Sequence, residues 1–276
     1  MNIAKTFRDL HISGDPFILA NAWDIGSARM LAGLGARALA TTSAGFAFTQ
    51  GLPDVEHLSR ENSIAHGRKF VEATPLPVSA DLENGYGHGP EDVATTIELA
   101  VEAGFAGCCI EDTMLPGDAP YRFSDAVARI EAGVFAAREA EKKHGVDFVL
   151  TARADGMMLG HYDLSEAILR LKAFEAAGAD VLYAPVPPDM EALAEICRAV
   201  QKPVNALCVA DFTKISVADF ANIGVARISL GSTLARATHK IILDSARAMF
   251  ERGDMRQLGQ SASSDVVDAL LKKYIS

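Results

Sequence analysis

Three carboxylates lie in two short stretches of the chain whose spacing could build a metal site. Asp81 and Glu83 belong to SADLENGYG, and the period of two along a β-strand places both side chains on one face. Glu111 belongs to CCIEDT, at the corresponding point of the next β-rich stretch. Carboxylates this close together repel one another unless a cation neutralises them. The pattern predicts that all three bind a divalent metal; the alternative is that they cap helices or pair with basic residues.

The predicted metal ligands are all oxygen atoms, which selects a hard ion. A sparse carboxylate set leaves room for water and substrate, and this suits Mg2+ better than Ca2+ while admitting Mn2+ as a substitute. Zinc is disfavoured because it prefers nitrogen and sulfur ligands. We therefore expect Mg2+ as the cofactor.

One arginine stands at the end of an otherwise apolar stretch, TARAD. The guanidinium of Arg153 can form two parallel hydrogen bonds with a substrate carboxylate that faces the metal. An ion pair with Asp155 or Glu111 is the alternative, and the two roles can coexist. We expect Arg153 to bind the substrate.

Other polar groups fall where loops should cover the same site. In TTSAG, the backbone amides of Ser43, Ala44 and Gly45 could form a small anion-binding nest. Asp54 lies in the Gly/Pro turn GLPD, where an Asp that merely forms the turn is an equal alternative. Trp23, in NAWD, is predicted either to form a wall of the site or to pack in the core.

These residues follow short β-rich stretches that alternate with stretches of helical periodicity along the chain. Such alternation is typical of βα units around a parallel sheet. In a closed (β/α)8 TIM barrel the active site lies at the C-terminal ends of the strands, where the acids fall, whereas an open doubly wound α/β sheet is the alternative. The eight predicted strands cover residues 17–24, 38–45, 77–83, 106–112, 147–155, 180–185, 203–209 and 226–231.

The C-terminal part is predicted to add helices to the barrel. One long helix covers residues 232–252, and DVVDALLKKYIS forms another after a Gly/Ser-rich break at residues 259–264. A closed barrel leaves the apolar positions of DVVDALL uncovered, so we expect this extension, about 232–276, to pack on another subunit. Since no linker is visible, one domain is predicted over residues 1–276.

Composition narrows the classes of partner. The 276 residues are 49% hydrophobic and carry a net charge of -10, which argues against nucleic acid or an anionic membrane as a partner. No apolar run reaches the roughly 18 residues of a membrane span, and the four cysteines lack metal-ligand spacing. We therefore expect a cytoplasmic protein with free thiols and a small-molecule partner.

The ordered combination NAWD, TTSAG, GLPD, ADLENGYG, IEDT and TARAD resembles the isocitrate lyase/phosphoenolpyruvate mutase superfamily along nearly the whole chain. The resemblance implies a (β/α)8 barrel, usually a homotetramer, in which the eighth helix is exchanged between paired subunits. It also implies Mg2+ at the strand ends. Members of the superfamily make or break a carbon–carbon or phosphorus–carbon bond next to a 2-oxo acid through an enolate.

The resemblance also implies roles for individual residues. Asp81 corresponds to the direct Mg2+ ligand, whereas Glu83 and Glu111 correspond to residues that act mainly through metal-bound water. Asp54 corresponds to the aspartate of a gating loop. The family commonly has glycine where this chain has Ala44. The implied catalytic residues are Arg153, Asp54 and Glu111, and the implied substrate-binding residues are Trp23, Ser43, Ala44, Gly45, Asp81, Arg153 and Asn205.

The chain departs from the family in the loop after the fourth strand, DTMLPGDAPYRF. Isocitrate and methylisocitrate lyases carry a KKCGH-like motif there, whose Cys gives a proton to the departing carbon acid. Phosphoenolpyruvate mutases and phosphonopyruvate hydrolases use a Lys/Asn pair in the same loop. Neither is present, and Asp112, Asp118 and Tyr121 are only weakly suited to replace the acid. We therefore expect cleavage of isocitrate or 2-methylisocitrate to be negligible.

The remaining chemistry needs the metal and little else. We expect Mg2+-dependent carbon–carbon cleavage of a small 2-oxo carboxylate through a metal-stabilised enolate, such as decarboxylation of oxaloacetate. The alternatives are a retro-aldol or retro-Claisen lyase of a 2-hydroxy or 2-oxo diacid, and phosphorus–carbon chemistry. From another class, the alternative is a non-catalytic protein that binds 2-oxo acids.

Overall fold

The computed structural model describes residues 2–54 and 58–274, and in these ranges eight parallel strands form one barrel. Neighbouring strands pair in the order β6-β5-β4-β3-β2-β1-β8-β7. A parallel bridge joins Leu182 to Val204, and the Leu182 amide donates to the carbonyl of Pro203 at 2.9 Å, which closes the ring between β6 and β7. The predicted (β/α)8 barrel is confirmed. The strands are β1 (Phe17–Asn21), β2 (Ala38–Ala40), β3 (Val78–Asp81), β4 (Gly107–Glu111), β5 (Val149–Arg153), β6 (Val181–Tyr183), β7 (Asn205–Leu207) and β8 (Arg227–Ser229).

Helices follow the strands on the outside of the barrel. Several begin where a polar side chain caps the first turn, as Asp163 and Asp189 do by accepting from the backbone amides of Glu166 and Ala192. The helices are α1 (Ile3–Asp9), α2 (Ile25–Gly33), α3 (Ser43–Thr49), α4 (Arg60–Ala73), α5 (Pro90–Glu102), α6 (Phe123–His144), α7 (Leu164–Ala176), α8 (Met190–Ala199), α9 (Val217–Asn222), α10 (Thr233–Arg252) and α11 (Ser264–Lys272).

The predicted strands are too long at their C-terminal ends. Residues 43–45 were expected in the second strand, but they form the first turn of α3. Thr42 explains the change, because its hydroxyl accepts from the Gly45 amide at 3.3 Å and so caps that helix. Asp24 likewise caps α2 and does not extend β1.

The barrel interior is layered. Phe7 of α1 and Phe17 of β1 pack among apolar side chains at the N-terminal ends of the strands. Above them lies a buried polar layer in which Arg227 donates to Asn205 Oδ1 at 2.8 Å and to Thr151 Oγ1 at 3.1 Å. Burial lowers the pKa of Arg227 to about 10, so it stays charged at neutral pH. The C-terminal ends of the strands then carry the predicted acidic residues.

The two C-terminal helices form where they were expected, although residues 275–276 of the last one lie outside the described ranges. Helix α11 packs on α2 of its own chain, and the expected packing of this extension on another subunit stays a prediction. Tyr274 Oη donates to the carbonyl of Ala32 at 3.2 Å. Within the described ranges, no helix is both long and apolar enough to cross a membrane.

Helix α10 turns much of its apolar surface away from the barrel. It buries Ala235, Ser245 and Ala248. Ile18, whose neighbours Phe17 and Leu19 point into the barrel, is 48% exposed on the outer wall of β1. A second copy of the chain could cover both Ile18 and the exposed apolar face of α10. We propose that α10 packs on a second copy of the chain, as in a helix-exchanged dimer. The exposed apolar residues of α10 are Ile241, Ile242, Leu243 and Phe250.

Charging this face should weaken the assembly. We expect the wild-type protein to be a dimer or larger in light scattering at micromolar concentration. The double variant Ile242→Asp/Phe250→Asp should raise the dissociation constant by at least about tenfold, because an interface loses two apolar anchors. Val217→Asp, at an exposed apolar position outside α10, serves as the control and should leave the mass unchanged. A monomeric wild-type protein would refute the proposed packing.

Candidate active site

Strands β3, β4 and β5 bring the predicted acids together at one end of the barrel. Asp81 lies in register with Cys109, and Glu111 lies in register with Arg153. These acids, Glu83 and Arg153 line a cavity of about 600 Å³. The structure thus assembles the four side chains that the sequence predicted to cooperate, whereas their roles stay predictions.

The carboxylate of Asp81 is held on both oxygens. Oδ2 accepts from the backbone amide of Ser43 at 3.0 Å and from its hydroxyl at 2.9 Å. Oδ1 accepts from Arg153 Nη1 at 3.2 Å and from Cys109 Sγ at 3.3 Å. These contacts fix the direction of the carboxylate at the floor of the cavity.

Arg153 contacts carboxylates from three neighbouring strands and loops. Its Nη2 lies 2.8 Å from Asp155 Oδ2 and 3.1 Å from Glu111 Oε2, and its Nε donates to Asp155 Oδ1 at 3.3 Å. The side chain also lies over the ring of Tyr183, 5.3 Å from its centroid. The ion-pair alternative predicted for Arg153 is therefore what the structure shows. A substrate carboxylate would have to join or replace these partners.

One guanidinium does not neutralise the acids around it. Burial first, and then the charges of Asp81 and Asp54, raise the pKa of Glu83 to about 7. Burial also raises the pKa of Glu111 well above its ordinary value, against the opposing effect of Arg153. Raised carboxyl pKa values mark a site that favours added positive charge, either as protons or as a cation.

The donor set fits a hydrated divalent cation. Every candidate group is a carboxylate oxygen, which suits a hard ion. Among residues 2–54 and 58–274, no three Asp, Glu, His or Cys side chains are grouped so that they could together hold an ion. A set of three direct ligands is therefore not preassembled there, and metal binding by Asp81, Glu83 and Glu111 stays a prediction.

Two buried residues outside the predicted metal and substrate set, Asp112 and Arg170, support this site from behind. Asp112 Oδ1 accepts from the backbone amide of Asp155 at 2.7 Å, and its Oδ2 accepts from Arg170 Nη1 at 3.0 Å. Burial and the charge of Asp155 raise the pKa of Asp112 to about 6. Arg170 of α7 thus connects through Asp112 to the backbone of Asp155, whose carboxylate pairs with Arg153.

The sequence did contain a signal for Arg170. The buried residues of α7 are Ala167, Arg170, Leu171 and Phe174, and this spacing of three and four is that of a helix face turned to the core. An arginine on the buried face of a helix requires an anionic partner. Its partner Asp112 is 58 positions away, so the sequence could not identify it.

The predicted anion-binding nest is partly used within the protein. Ser43 and Ala44 line the cavity, but the Ser43 amide donates to Asp81 and the Gly45 amide donates to Thr42. Asp54 also lines the cavity. Substrate binding by the amides of Ser43, Ala44 and Gly45 stays a prediction.

Two other predicted substrate contacts lie away from the cavity floor. Asn205 is fully buried in the polar layer below, where its Nδ2 donates to Ser229 Oγ at 2.9 Å. Trp23 packs close to α3: a Cβ added at Gly45 would come within 2.9 Å of the Trp23 Cβ. The structure therefore gives both residues a packing role, and a role in substrate binding stays a prediction.

A closed parallel barrel with a carboxylate-lined cavity at the C-terminal ends of its strands has the architecture of the TIM-barrel enzymes. Residues 7–250 match the family model described as phosphoenolpyruvate phosphomutase. The chain belongs to the isocitrate lyase/phosphoenolpyruvate mutase superfamily, whose named members are lyases and mutases.

Individual relatives agree with this membership. An uncharacterised protein of Mycobacterium tuberculosis H37Rv is 34% identical, covering 98% of this chain and 97% of its own length. An oxaloacetate decarboxylase of Paraburkholderia xenovorans is 31% identical, covering 72% and 67%. A solved structure from Burkholderia cenocepacia J2315, described as that of a lyase/mutase, is 42% identical to this chain and has a TM-score of 0.90. The match covers 97% of this chain and 94% of that one.

Removing Arg170, the buried cation that pairs with Asp112, should destabilise the protein. We expect Arg170→Met to lower the free energy of unfolding by roughly 3–5 kcal/mol, because it leaves the Asp112 carboxylate buried without its cation. The control Arg198→Met breaks the exposed pair with Glu191 and should cost less than about 1 kcal/mol. Urea denaturation measures both values. If both variants lost the same free energy of unfolding, the buried pair would contribute no more to stability than the exposed pair.

Proposed function

We propose that this protein uses a divalent cation, Mg2+ with Mn2+ as a substitute, to cleave a carbon–carbon bond in a small 2-oxo diacid. Decarboxylation of oxaloacetate is the representative reaction. The observation that carries the proposal is the excess of carboxylates around Arg153 at the floor of the barrel cavity. The oxaloacetate decarboxylase among the relatives supports the choice of reaction.

Asp81 is the residue that would hold the cation directly, with Glu83 and Glu111 acting through water. Ser43 fixes Oδ2 of Asp81, whereas Oδ1 accepts from Arg153 and Cys109 and would have to exchange these donors for a cation. Glu83 has a φ of 50°, a backbone conformation rare outside glycine, which turns the chain just beyond Asp81. When bound, the cation would supply a Lewis acid for the 2-oxo group.

Arg153 would bind the carboxylate next to that 2-oxo group. Its Nη1 and Nη2 face the cavity acids Asp81 and Glu111, whereas Asp155 holds the opposite edge through Nε and Nη2. A substrate carboxylate can thus meet a guanidinium whose orientation is already fixed. Such preorganisation lowers the cost of aligning the substrate for reaction.

The bond that breaks joins carbon 3 to the second carboxylate. Its electron pair moves toward the 2-oxo oxygen and gives the enolate of the remaining acid, while the carboxylate leaves as CO2. A proton from water then adds to carbon 3 and restores the 2-oxo acid. The leaving CO2 needs no proton.

The loop after β4 favours this reaction over release of a larger carbon acid. The part of it that lines the cavity consists of Thr113, Leu115, Pro116, Gly117 and Asp118. Release of a carbon acid needs a proton donor at this position, and the loop offers only the weakly suited Asp112, Asp118 and Tyr121 in place of a Cys or Lys. Decarboxylation makes no such demand.

The metal assignment is tested without turnover. We expect Asp81→Ala to weaken Mg2+ binding by more than about 100-fold, since even the loss of an outer-shell partner costs roughly 10- to 100-fold. Calorimetric titration of Mg2+ into both proteins measures this. Asp211→Ala, which removes an exposed carboxylate paired with Lys214, is the control and should bind as the wild type does. Unchanged affinity in Asp81→Ala would overturn the metal assignment.

The reaction is tested by CO2 release from oxaloacetate with Mg2+. We expect turnover above the rate with Mg2+ and the Asp81→Ala protein, which corrects for decarboxylation by the free ion. Arg153→Lys should lower kcat/KM by about 100-fold, in line with the roughly 2–5 kcal/mol of a hydrogen-bonded charge pair.

Two further measurements separate this reaction from its competitors. Oxalate, a planar mimic of the enolate, should bind in the presence of Mg2+ and not in EDTA. Isocitrate and 2-methylisocitrate should be cleaved negligibly. If either were cleaved faster than any 2-oxo diacid is decarboxylated, the proposed reaction would be wrong.

A further inference from the structure

The cavity has an apolar side as well as an acidic floor. Leu115 and Pro116 reach it from the loop after β4, and Met158 and Leu159 reach it from the loop after β5. Leu207, at the end of β7, also lines the cavity. Met158 is 41% exposed and Leu159 is 37% exposed, so part of their apolar surface stays open to water. Covering such area is favourable by about 25 cal/mol per Å².

The apolar side is a built wall. Tyr162 Oη, in the loop after β5, donates to Asp112 Oδ2, in the loop after β4, at 2.9 Å. His161 Nε2 lies 3.6 Å from Asp118 Oδ2 and joins the same two loops. Gly156 allows the ring of Tyr162 to lie on the turn, because a Cβ there would come within 2.2 Å of that ring. The two loops are therefore held together as one surface.

The turn that carries Met158 and Leu159 is itself hydrogen-bonded. The Leu159 amide donates to the carbonyl of Asp155 at 3.2 Å, and the His161 amide donates to the carbonyl of Gly156 at 2.7 Å. The carboxylate of Asp155 also accepts a hydrogen bond from Arg153. Asp155 therefore holds both the turn of the apolar wall and the arginine of the acidic floor, so the two surfaces keep a fixed relative position.

A buried hydroxyl marks the boundary between floor and wall. Thr113 lies two residues after Glu111 and two before Leu115, lines the cavity and is 2% exposed. In the described part of the chain its Oγ1 has no hydrogen-bond partner. A buried hydroxyl without a partner costs free energy, so its placement at the cavity points to a polar group of a ligand.

We propose that the wall formed by Leu115, Pro116, Met158 and Leu159 is a subsite for a hydrocarbon substituent on carbon 3 of the substrate, with Thr113 donating to the adjacent second carboxylate. The inference rests on the proposed 2-oxo diacid chemistry and names its substrate class: a 3-alkyl-substituted 2-oxo diacid. The cavity of about 600 Å³ leaves room beyond the floor for such a chain.

The test compares oxaloacetate with its 3-methyl, 3-ethyl and 3-butyl derivatives in the presence of Mg2+. We expect kcat/KM to rise along the series by at least about tenfold, since one methylene in an apolar pocket is worth roughly tenfold or more. In the double variant Met158→Ser/Leu159→Ser the ratio of butyl to unsubstituted substrate should fall by about tenfold. Both residues are partly exposed on a loop, so the fold should survive.

A control separates loss of the subsite from a general effect of removing apolar surface. Leu169→Ser replaces a leucine of α7 that is 52% exposed and does not line the cavity. It should keep the butyl preference of the wild type. Thr113→Val should raise KM for all four substrates and leave their order unchanged, because it removes the hydroxyl and keeps the shape.

The outcomes distinguish the subsite from the proposed reaction. If oxaloacetate is decarboxylated and the alkyl derivatives are no better, the subsite is refuted and the reaction stands. If no 2-oxo diacid reacts, the reaction is refuted, and calorimetry with malonate and butylmalonate decides about the subsite. Tighter binding of butylmalonate that the double variant abolishes supports it, and equal binding of the two refutes it.

Discussion

The site depends on one partly buried guanidinium that is shared among carboxylates from adjacent elements. Arg153 joins Asp81 at the end of β3, Glu111 at the end of β4 and Asp155 just after β5. Removing charges from water costs several kcal/mol per ion, and close pairing offsets this only where the geometry is good. The parallel register of the strands supplies that geometry, because it sets Glu111 beside Arg153.

The same constraint explains the polar groups behind the site. Asp155 is almost fully buried, and its backbone and side chain are both engaged, with Asp112 and Arg153 respectively. Asp112 in turn requires a cation, which α7 provides through Arg170. A chain of contacts thus runs from Arg170 on the outer helix through Asp112 and Asp155 to Arg153 at the cavity. A barrel helix acts here as part of the site, although it lies outside the cavity.

Much of the fold was predictable because its determinants are local. The strand-and-helix alternation predicted all eight strands, and Asp81 and Glu83 both reach the cavity. The period of two does not explain the place of Glu83, because β3 ends at Asp81 and Glu83 has a φ of 50°. The strand ends were less predictable, since the cap formed by Thr42 converts residues 43–45 into a helical turn. The role of Asn205 depended on Arg227, a contact between separate strands that no local pattern indicates.

The candidate site was predictable as a set of residue types and not as a set of contacts. Acids at neighbouring strand ends indicated a cation site, and the structure groups them around Arg153. The pairing of Asp112 with Arg170 and the apolar wall needed three-dimensional information, because both join loops or helices far apart in sequence. Long-range contacts of this kind decide which surface the substrate meets.

The thiols of this chain have a consequence for its tolerance of oxidants. Burial raises the pKa of Cys108, Cys197 and Cys208, and burial together with Asp81 raises the pKa of Cys109 to about 12. Thiols that stay protonated at neutral pH react slowly with peroxides and alkylating agents, since the thiolate is the reactive form. The loop after β4 adds no cysteine. Peroxide and haloacids, which inactivate a lyase that depends on a reactive cysteine, should therefore react only slowly with the thiols of this protein.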